Sequence, residues 1–283
     1  MIFLIQDSYG GTPTLYLVPT PIGNLEDITY RSVKVLNEVD VIFSEDTRVT
    51  FNLLKSLDIS KKLIALHEHN EDIVKNKVLE YLSCNKNVAI VTDRGTPIIS
   101  DPGYKTVKFV IENHYNVVAL PGANAFVPAL IVSGLPSQPF LFYGFLDSKE
   151  SVKKRELEKL MDNEETMIFY EAPHRIIKTL NMMLDILGNR NVSISREISK
   201  KFETVYRGKI SEIIDSIPEK GEFVIVVEGM KERFVDDSIS VRDAVDNYIR
   251  AGFDVMSSIK KVAKDRGVTK NVIYKSYHEG DEK

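Results

Sequence analysis

Five short aliphatic runs punctuate the first 120 residues: TLYLVP (14–19), VDVIFS (39–44), KLIAL (62–66), NVAIVT (87–92) and YNVVAL (115–120). None alternates cleanly with polar residues, which is the pattern of strands buried on both faces. Stretches of helical period lie between them. DITYRSVKVLNEV lines up Ile28, Val33, Val35 or Leu36 and Val39; EDIVKNKVLEYLS lines up Ile73, Val74, Val78, Leu79 and Leu82; YKTVKFVIENH lines up Val107, Val110 and Ile111. Parallel strands need such crossovers, so this spacing predicts βαβ units around one parallel sheet.

The pattern changes after PSQPF (136–140). FLFYGFL, ETMIFYE, NVSISRE and GEFVIVVEG read as strands, with helices at SVKKRELEKLMDN and at HRIIKTLNMMLDIL, the latter ended by Gly188. MKERFVDDS is polar and linker-like. The tail, 241–283, reads as two short helices with a break at Gly252 and a turn at RGVTKN. The expected architecture is therefore two α/β domains, 1–136 and 137–230, followed by a linker and helical appendage over 231–283.

Composition removes several classes of function. The net charge of −4 leaves no global basic footprint, so contact with nucleic acid would rest on local patches. The lone Cys84 excludes a disulfide framework and a cysteine-rich metal site. His67 and His69 flank Glu68 but lack further ligands, so no metal is expected. The opening MIFLIQDSYGGTP has no basic n-region, and no window approaches the roughly 20 apolar residues of a membrane-spanning helix. A soluble cytoplasmic protein is the expectation.

The chemistry-bearing residues gather where the runs of the first domain end. PTPIGNLED follows the first run, EDTR the second, HEHNED the third, DRGTPIISDPG the fourth and PGANA the fifth. The opposite ends carry plain residues. Ligands of open α/β sheets bind outside the carboxyl ends of the strands, where glycine lets backbone approach and carboxylates fix hydroxyls. No G-x-G-x-x-G follows the first run, and no P-loop, H-E-x-x-H or G-x-S-x-G occurs.

In their order, LYLVPTPIGNLEDITYR, SEDTR, TDRGTPIISDPG, FYEAPHR and SREISK closely resemble the tetrapyrrole methylase family, in particular its branch acting on small-subunit ribosomal RNA. The likeness runs from about Leu15 to Gly229. It implies S-adenosylmethionine as cofactor, held in the cleft between the two α/β domains of a homodimer. The implied reaction is methylation of a cytidine ribose 2′-hydroxyl in 16S ribosomal RNA, with the RNA or the assembled small subunit as partner. Carried onto this chain, the cofactor residues are Pro19, Gly23, Asp93, Gly95, Thr96, Pro97, Gly122, Ala123 and Tyr143. Arg94 and Asn124 depart from the family pattern. Arg94 either points to solvent or adds a cation beside the site, and Asn124 offers an amide where the family has a hydroxyl.

Transfer to a ribose hydroxyl needs alignment of the reacting atoms and a group to take the proton or steady developing alkoxide. Glu45, Asp46, Arg48, Glu171, His174 and Arg175 form the candidate catalytic set, with no single base assigned. His174 suits proton transfer near neutral pH, but EAPHR also reads as a strand-to-helix turn with Pro173 at a helix start. Glu45 and Arg48 equally suit a mutual ion pair. For RNA, Arg196, Lys200 and Lys201 lie in a family-like segment. Lys153, Lys154 and Arg155 interleave with acids and read as a solvated face. Between Val255 and His278, Lys260, Lys261, Lys264, Arg266, Lys270 and Lys275 face one acid, Asp265, in a pattern resembling a small helix-turn-helix. Phosphate contact and a packing role both suit that tail. Two other functions share the fold: methylation of a tetrapyrrole, and S-adenosylmethionine binding without catalysis.

Overall fold

The structure, a computed structural model, describes residues 5–8, 10–230, 239–250 and 254–279. The chain divides after Gly229 into two compact units. In the first, β1 (Thr14–Leu17), β2 (Val41–Ser44), β3 (Lys62–Ala65), β4 (Val88–Val91) and β5 (Asn116–Ala119) form an all-parallel sheet in the order β3-β2-β4-β1-β5. Every residue of β2 and β4 is buried, as the unbroken aliphatic runs require. One face packs Leu36, Leu54, Ala89 and Val91, and the other Phe43, Val78, Leu82, Ile90 and Val110. At about 1.5–3 kcal/mol per fully buried aliphatic or aromatic side chain, these two faces hold the sheet together.

The crossovers are α1 (Tyr30–Glu38), α2 (Thr47–Ser56), α3 (Glu71–Ser83) and α4 (Tyr104–Glu112). Thr29 caps α1 by accepting from the Ser32 amide at 3.0 Å, and Asp46 caps α2 from the Arg48 amide at 2.8 Å. α4 begins after Gly103, at φ +126°, which has no side chain to cap with. Buried Glu71 of α3 does so instead, accepting from the Thr106 amide at 2.8 Å. The buried stripe of α3 is Val74, Val78 and Leu82. Ile73, expected on that side, lies a helical step away and is 76% exposed.

After α5 (Phe126–Ser133) comes the second sheet: β6 (Phe140–Phe145), β7 (Thr166–Glu171), β8 (Asn191–Arg196), β9 (Thr204–Lys209) and β10 (Phe223–Val227) in the order β6-β7-β10-β8-β9. β6 runs parallel to β7, and the other pairs are antiparallel. α6 (Glu150–Leu160), α7 (Ile176–Leu187) and short α8 (Ile210–Ile213) cover one face through Leu157, Leu180, Met183 and Ile210. α5 covers the other, setting Ala129 and Leu130 over Ile168, Val224 and Val226. β9 was not anticipated, because TVYRGK is polar and only half-buried, and its ladder to β8 defines it.

The second unit holds three helices where two were expected: α9 (Val241–Arg250), α10 (Val255–Asp265) and α11 (Lys270–Glu279). They pack around Val245, Ile259, Val262 and Ile273. The expected break at Gly252 falls outside the described residues. The turn between α10 and α11 contains Gly267 at φ +61°. Among the described residues no helix is long and apolar enough to cross a membrane.

Candidate active site

The carboxyl ends of β1, β2, β4 and β5 are laced to one another. Thr20 and Gly95 exchange backbone hydrogen bonds of 2.9 and 3.0 Å, and the Thr20 hydroxyl donates to the Thr92 carbonyl at 3.1 Å. The Thr96 hydroxyl donates to the Ala123 carbonyl at 3.0 Å, and Asp93 Oδ1 accepts from the Asp46 amide at 3.0 Å. Gly122 lies so close to Pro19 that an added Cβ would approach the proline Cβ to 2.5 Å. Pro19, Asp93 and Gly122 thus hold the loops in register. The loop after β4 carries backbone strain: Ile98 sits at φ +76° and Ser100 at φ +67°. A β-branched residue there is a conformational outlier that only a well-determined surround sustains. The paired Gly-Thr-Pro and Asp-Pro-Gly turns supply that surround.

The result is a cleft of about 350 Å³. Gly95, Thr96, Ser100, Asp101, Asn124 and Ala125 line it from the first sheet's edge, and Phe145, Tyr170, Ala172, Pro173, Phe223 and Val224 from the second. Of the sequence-derived cofactor residues, Gly95 and Thr96 face it. Gly122 and Ala123 face a neighbouring cleft of about 440 Å³, which shares Ile22, Asn124 and Ile198 with the first. Asp93, Pro97, Pro19 and Gly23 line neither, and Gly23 abuts the Lys200 side chain. Tyr143 packs on Phe169 in the core beneath α6 and α7, where burial and Glu156 push its phenol up to about 12. Phe142, its neighbour, lies on the opposite, α5-covered face, and the register shifts between Phe142 and Gly144. Tyr143 therefore lies away from the cleft.

The carboxylates of the candidate set fall into three environments. Asp46 chelates Arg48, accepting from Nε at 3.0 Å and Nη2 at 2.6 Å. That pairing lowers its pKa to about 2, while the Arg48 side chain is 88% exposed. Arg48 thus pairs with Asp46 and not with Glu45. Glu45 Oε2 instead accepts from the Thr92 hydroxyl at 3.2 Å, on the side where Asp93 and Asp101 converge. Burial, reinforced by the charges of Glu45 and Asp93 and only partly offset by a hydrogen bond with Thr92, pushes Asp101 up to about 6.

Glu171 is the third case. Its side chain is 1% exposed, and both oxygens are engaged: Oε1 by Arg175 Nε at 2.7 Å and the Ala172 amide at 2.8 Å, Oε2 by the Thr179 hydroxyl at 2.5 Å and Lys153 Nζ at 3.2 Å. Burial raises its proton affinity, but these donors and cations outweigh it and hold the carboxyl below its ordinary value. Lys153, read from sequence as part of a solvated face, is 4% exposed because it shares a helix face with Leu157. His174 is exposed in the turn between β7 and α7. That helix begins at Ile176, after an Arg175-to-Ala172 backbone hydrogen bond of 3.0 Å, and not at Pro173.

Arg94 lines the cleft and is paired with Glu222. Asn124 Oδ1 accepts from the Val127 amide at 3.0 Å, opening α5. Lys200 binds two carboxylates, Glu197 at 3.1 Å and Glu222 at 2.7 Å, and Arg196 donates to the Lys220 carbonyl at 2.6 Å. Lys201 lies over the exposed Phe202 ring at 5.8 Å. In the second unit, Lys260 is exposed and Lys261 lies over Tyr248 at 5.7 Å. The sequence reading did not single out Ser100, Asp101, Tyr170, Phe223 or Val224 as lining residues. Topology alone brings the second-sheet residues to this edge.

Residues 14–214 match the model of the tetrapyrrole (corrin/porphyrin) methylases, and the chain belongs to that family. Among curated relatives, it is 47% identical over 273 residues to ribosomal RNA small subunit methyltransferase I of Bacillus subtilis, covering 93% of this chain and 94% of that one. The protein of the same description from Halalkalibacterium halodurans is 46% identical over 94% of this chain and 95% of its own. Solved structures share the fold at low identity. A uroporphyrin-III C-methyltransferase from Thermus thermophilus, complexed with S-adenyl homocysteine, has a TM-score of 0.53 at 18% identity, covering 75% of this chain and 96% of that one. The methyltransferase CobJ has a TM-score of 0.58 at 16% identity, covering 79% and 97%.

Proposed function

We propose that this protein is an S-adenosylmethionine-dependent methyltransferase of small-subunit ribosomal RNA, with a cytidine ribose 2′-hydroxyl as acceptor. The observation that carries it is the 350 Å³ cleft at the laced carboxyl edge of the parallel sheet, in a chain 44–47% identical to relatives described as small-subunit ribosomal RNA methyltransferases. The solved enzymes named for tetrapyrroles share only 15–18% identity, so a tetrapyrrole acceptor has weaker support.

The cleft's chemistry suits the cofactor. At φ +85° Gly95 holds a backbone conformation that strains any side chain, and an added Cβ would lie a tight 3.3 Å from Ile22 Cγ2. Apolar walls of Ile99, Phe145, Tyr170 and Phe223 offer a slot for an adenine, and Asn124 and Thr96 offer polar contacts. When bound, S-adenosylmethionine supplies an electrophilic methyl on a cationic sulfonium. Asp101, Glu45 and Asp93 form an acidic group that favours such a cation. Asp101 has a proton affinity near neutrality, which suits it to accept the proton lost by the ribose hydroxyl. Arg48, exposed at the start of α2, is suited to meet a phosphate or a developing alkoxide. Glu171 and Arg175 act as positioning residues behind the Ala172–Pro173 wall. Lys201, Lys260 and Lys261 are the cations for phosphate contact, whereas Lys200 and Arg196 hold their loop.

A cytoplasmic homodimer belongs to the same reading. The dimer is supported by Phe51 of α2, Ile73 of α3 and Tyr104 of α4, each an exposed side chain large for a free surface. The test of function is transfer of labelled methyl from S-adenosylmethionine to small subunits lacking this modification, followed by nuclease mapping. One alkali-resistant 2′-O-methylcytidine is the expected product. Cofactor binding without transfer to RNA would overturn the assignment.

A further inference from the structure

Among the described residues that line the cofactor cleft, Arg94 alone is a lysine or arginine. It stands just past β4, between Asp93 and Gly95, and its guanidinium reaches Glu222, which precedes β10 on the second sheet's side of the cleft. Both side chains are 55% exposed, and an ion pair between groups so open to water is weakly held. Glu222 also has a second cation. Arg94 takes its Oε1, while Lys200 Nζ lies 2.7 Å from Oε2 and 3.1 Å from Glu197 Oε1. Removal of Arg94 therefore leaves Glu222 paired, so the guanidinium is free to exchange Glu222 for a stronger anion at small cost.

The acceptor nucleotide brings such an anion. The 2′-hydroxyl and the 3′-phosphate of RNA stand on neighbouring ribose carbons, so a ribose that presents the hydroxyl to the cleft carries the phosphate in beside it. Without a cation that phosphate would meet only like charge, because Asp101 lines the cleft and Glu45 and Asp93 add to the negative charge around it. A guanidinium offers a phosphate two parallel donors in one plane, which suits arginine to the task better than lysine. We propose that Arg94 is the RNA-binding cation of the cleft, trading Glu222 for the 3′-phosphate of the acceptor nucleotide when RNA enters. This rests on the ribosomal RNA reading and deepens it. Arg94 then contributes to holding the acceptor and not to the transfer step itself.

Two variants test it. Arg94→Ala removes a half-exposed side chain and should fold. It should raise KM for small subunits at least fivefold, with kcat and the S-adenosylmethionine dissociation constant each within twofold of wild type. The log–log dependence of subunit binding on salt should lose about one unit of slope, as expected for one phosphate contact. Glu222→Gln separates exchange from mere bridging. It frees Arg94 of its competitor and should leave KM at or below the wild-type value, whereas a bridge that only ties the two sheets together would suffer alike in both variants. A probe independent of turnover is cytidine 3′-monophosphate against cytidine, followed by chemical-shift titration with S-adenosylhomocysteine present. The wild type should prefer the phosphate form at least fivefold, and Arg94→Ala should lose that preference. A wild type that transfers no methyl to RNA yet keeps this preference strikes the ribosomal RNA reading and leaves the role of Arg94 standing. Unchanged KM and phosphate preference in Arg94→Ala would overturn the proposal. So would a parallel loss of cofactor affinity, which assigns Arg94 to the cofactor's own carboxylate, or a KM raised equally by Glu222→Gln.

Discussion

Two carboxyl groups, Glu171 and Asp101, border the same cleft, and their surroundings are built in opposite ways. Glu171 is wrapped by Lys153, Arg175, Thr179 and a backbone amide, all within 3.2 Å, and its charge is neutralised inside the protein. Glu45 and Asp101 share one threonine hydroxyl, Asp93 has a single backbone amide, and the charges of Glu45 and Asp93 add to burial in holding the proton on Asp101 to about pH 6. A carboxylate with every lone pair satisfied has nothing left to offer a substrate and serves to hold a turn. A carboxylate short of cations is unstable where it stands unless something positive arrives. The second arrangement is the chemical one.

The largest effect should come from breaking the satisfied group. Glu171→Gln leaves Lys153 buried without its counter-charge and should cost about 3–5 kcal/mol in urea unfolding. A loss below about 1 kcal/mol would mean that the network is ornamental. Next is Gly122→Ala, which drives a methyl into Pro19 and should cost about 1–3 kcal/mol while weakening cofactor binding, because the β1 and β5 loops must part. Unchanged calorimetric affinity would detach that packing from the site.

Asp101→Asn should do the reverse. The unfolded carboxyl titrates near 3.8 and the folded one near 6, so the fold favours the protonated form. Its contribution to stability is full below pH 3.8 and is lost as the pH rises through about 6. The asparagine variant should therefore gain about 1–2 kcal/mol on the wild type at pH 8, after discounting for solvent, and little at pH 4. Parallel stability curves from pH 4 to 8 would show that Asp101 is not held high. The smallest structural effect belongs to Arg48→Ala. With both groups of that pair near the surface, its melting temperature should barely move, while transfer to RNA should fall; full activity would remove Arg48 from the chemistry of transfer.

The parallel sheet was legible because strands buried on both faces leave unbroken aliphatic runs. β9 was not, since TVYRGK is exposed enough to be polar and owes its strand to β8. Lys153 shows the same limit in a helix. Its charge said surface, yet it stands four residues before the buried Leu157, a spacing that marked it for the interior. At the site, the glycine and proline loops announced themselves, and Gly95 and Thr96 do face the cleft. Asp101 did not stand out, because part of the wall around it comes from a different sheet. Phe223 and Val224 read only as part of an aliphatic strand. They reach the cleft only through the order of the second sheet's strands.

The account turns on the contrast between the two acidic groups, and one measurement addresses it directly: the rate of methyl transfer to small subunits per folded molecule, for Asp101→Asn beside Glu171→Gln. Asp101→Asn should be well folded and lose at least tenfold in kcat. Glu171→Gln should lose stability but keep most of its kcat at a temperature where it is folded. The opposite pattern, with a fully active Asp101→Asn and a folded but inactive Glu171→Gln, would contradict the account.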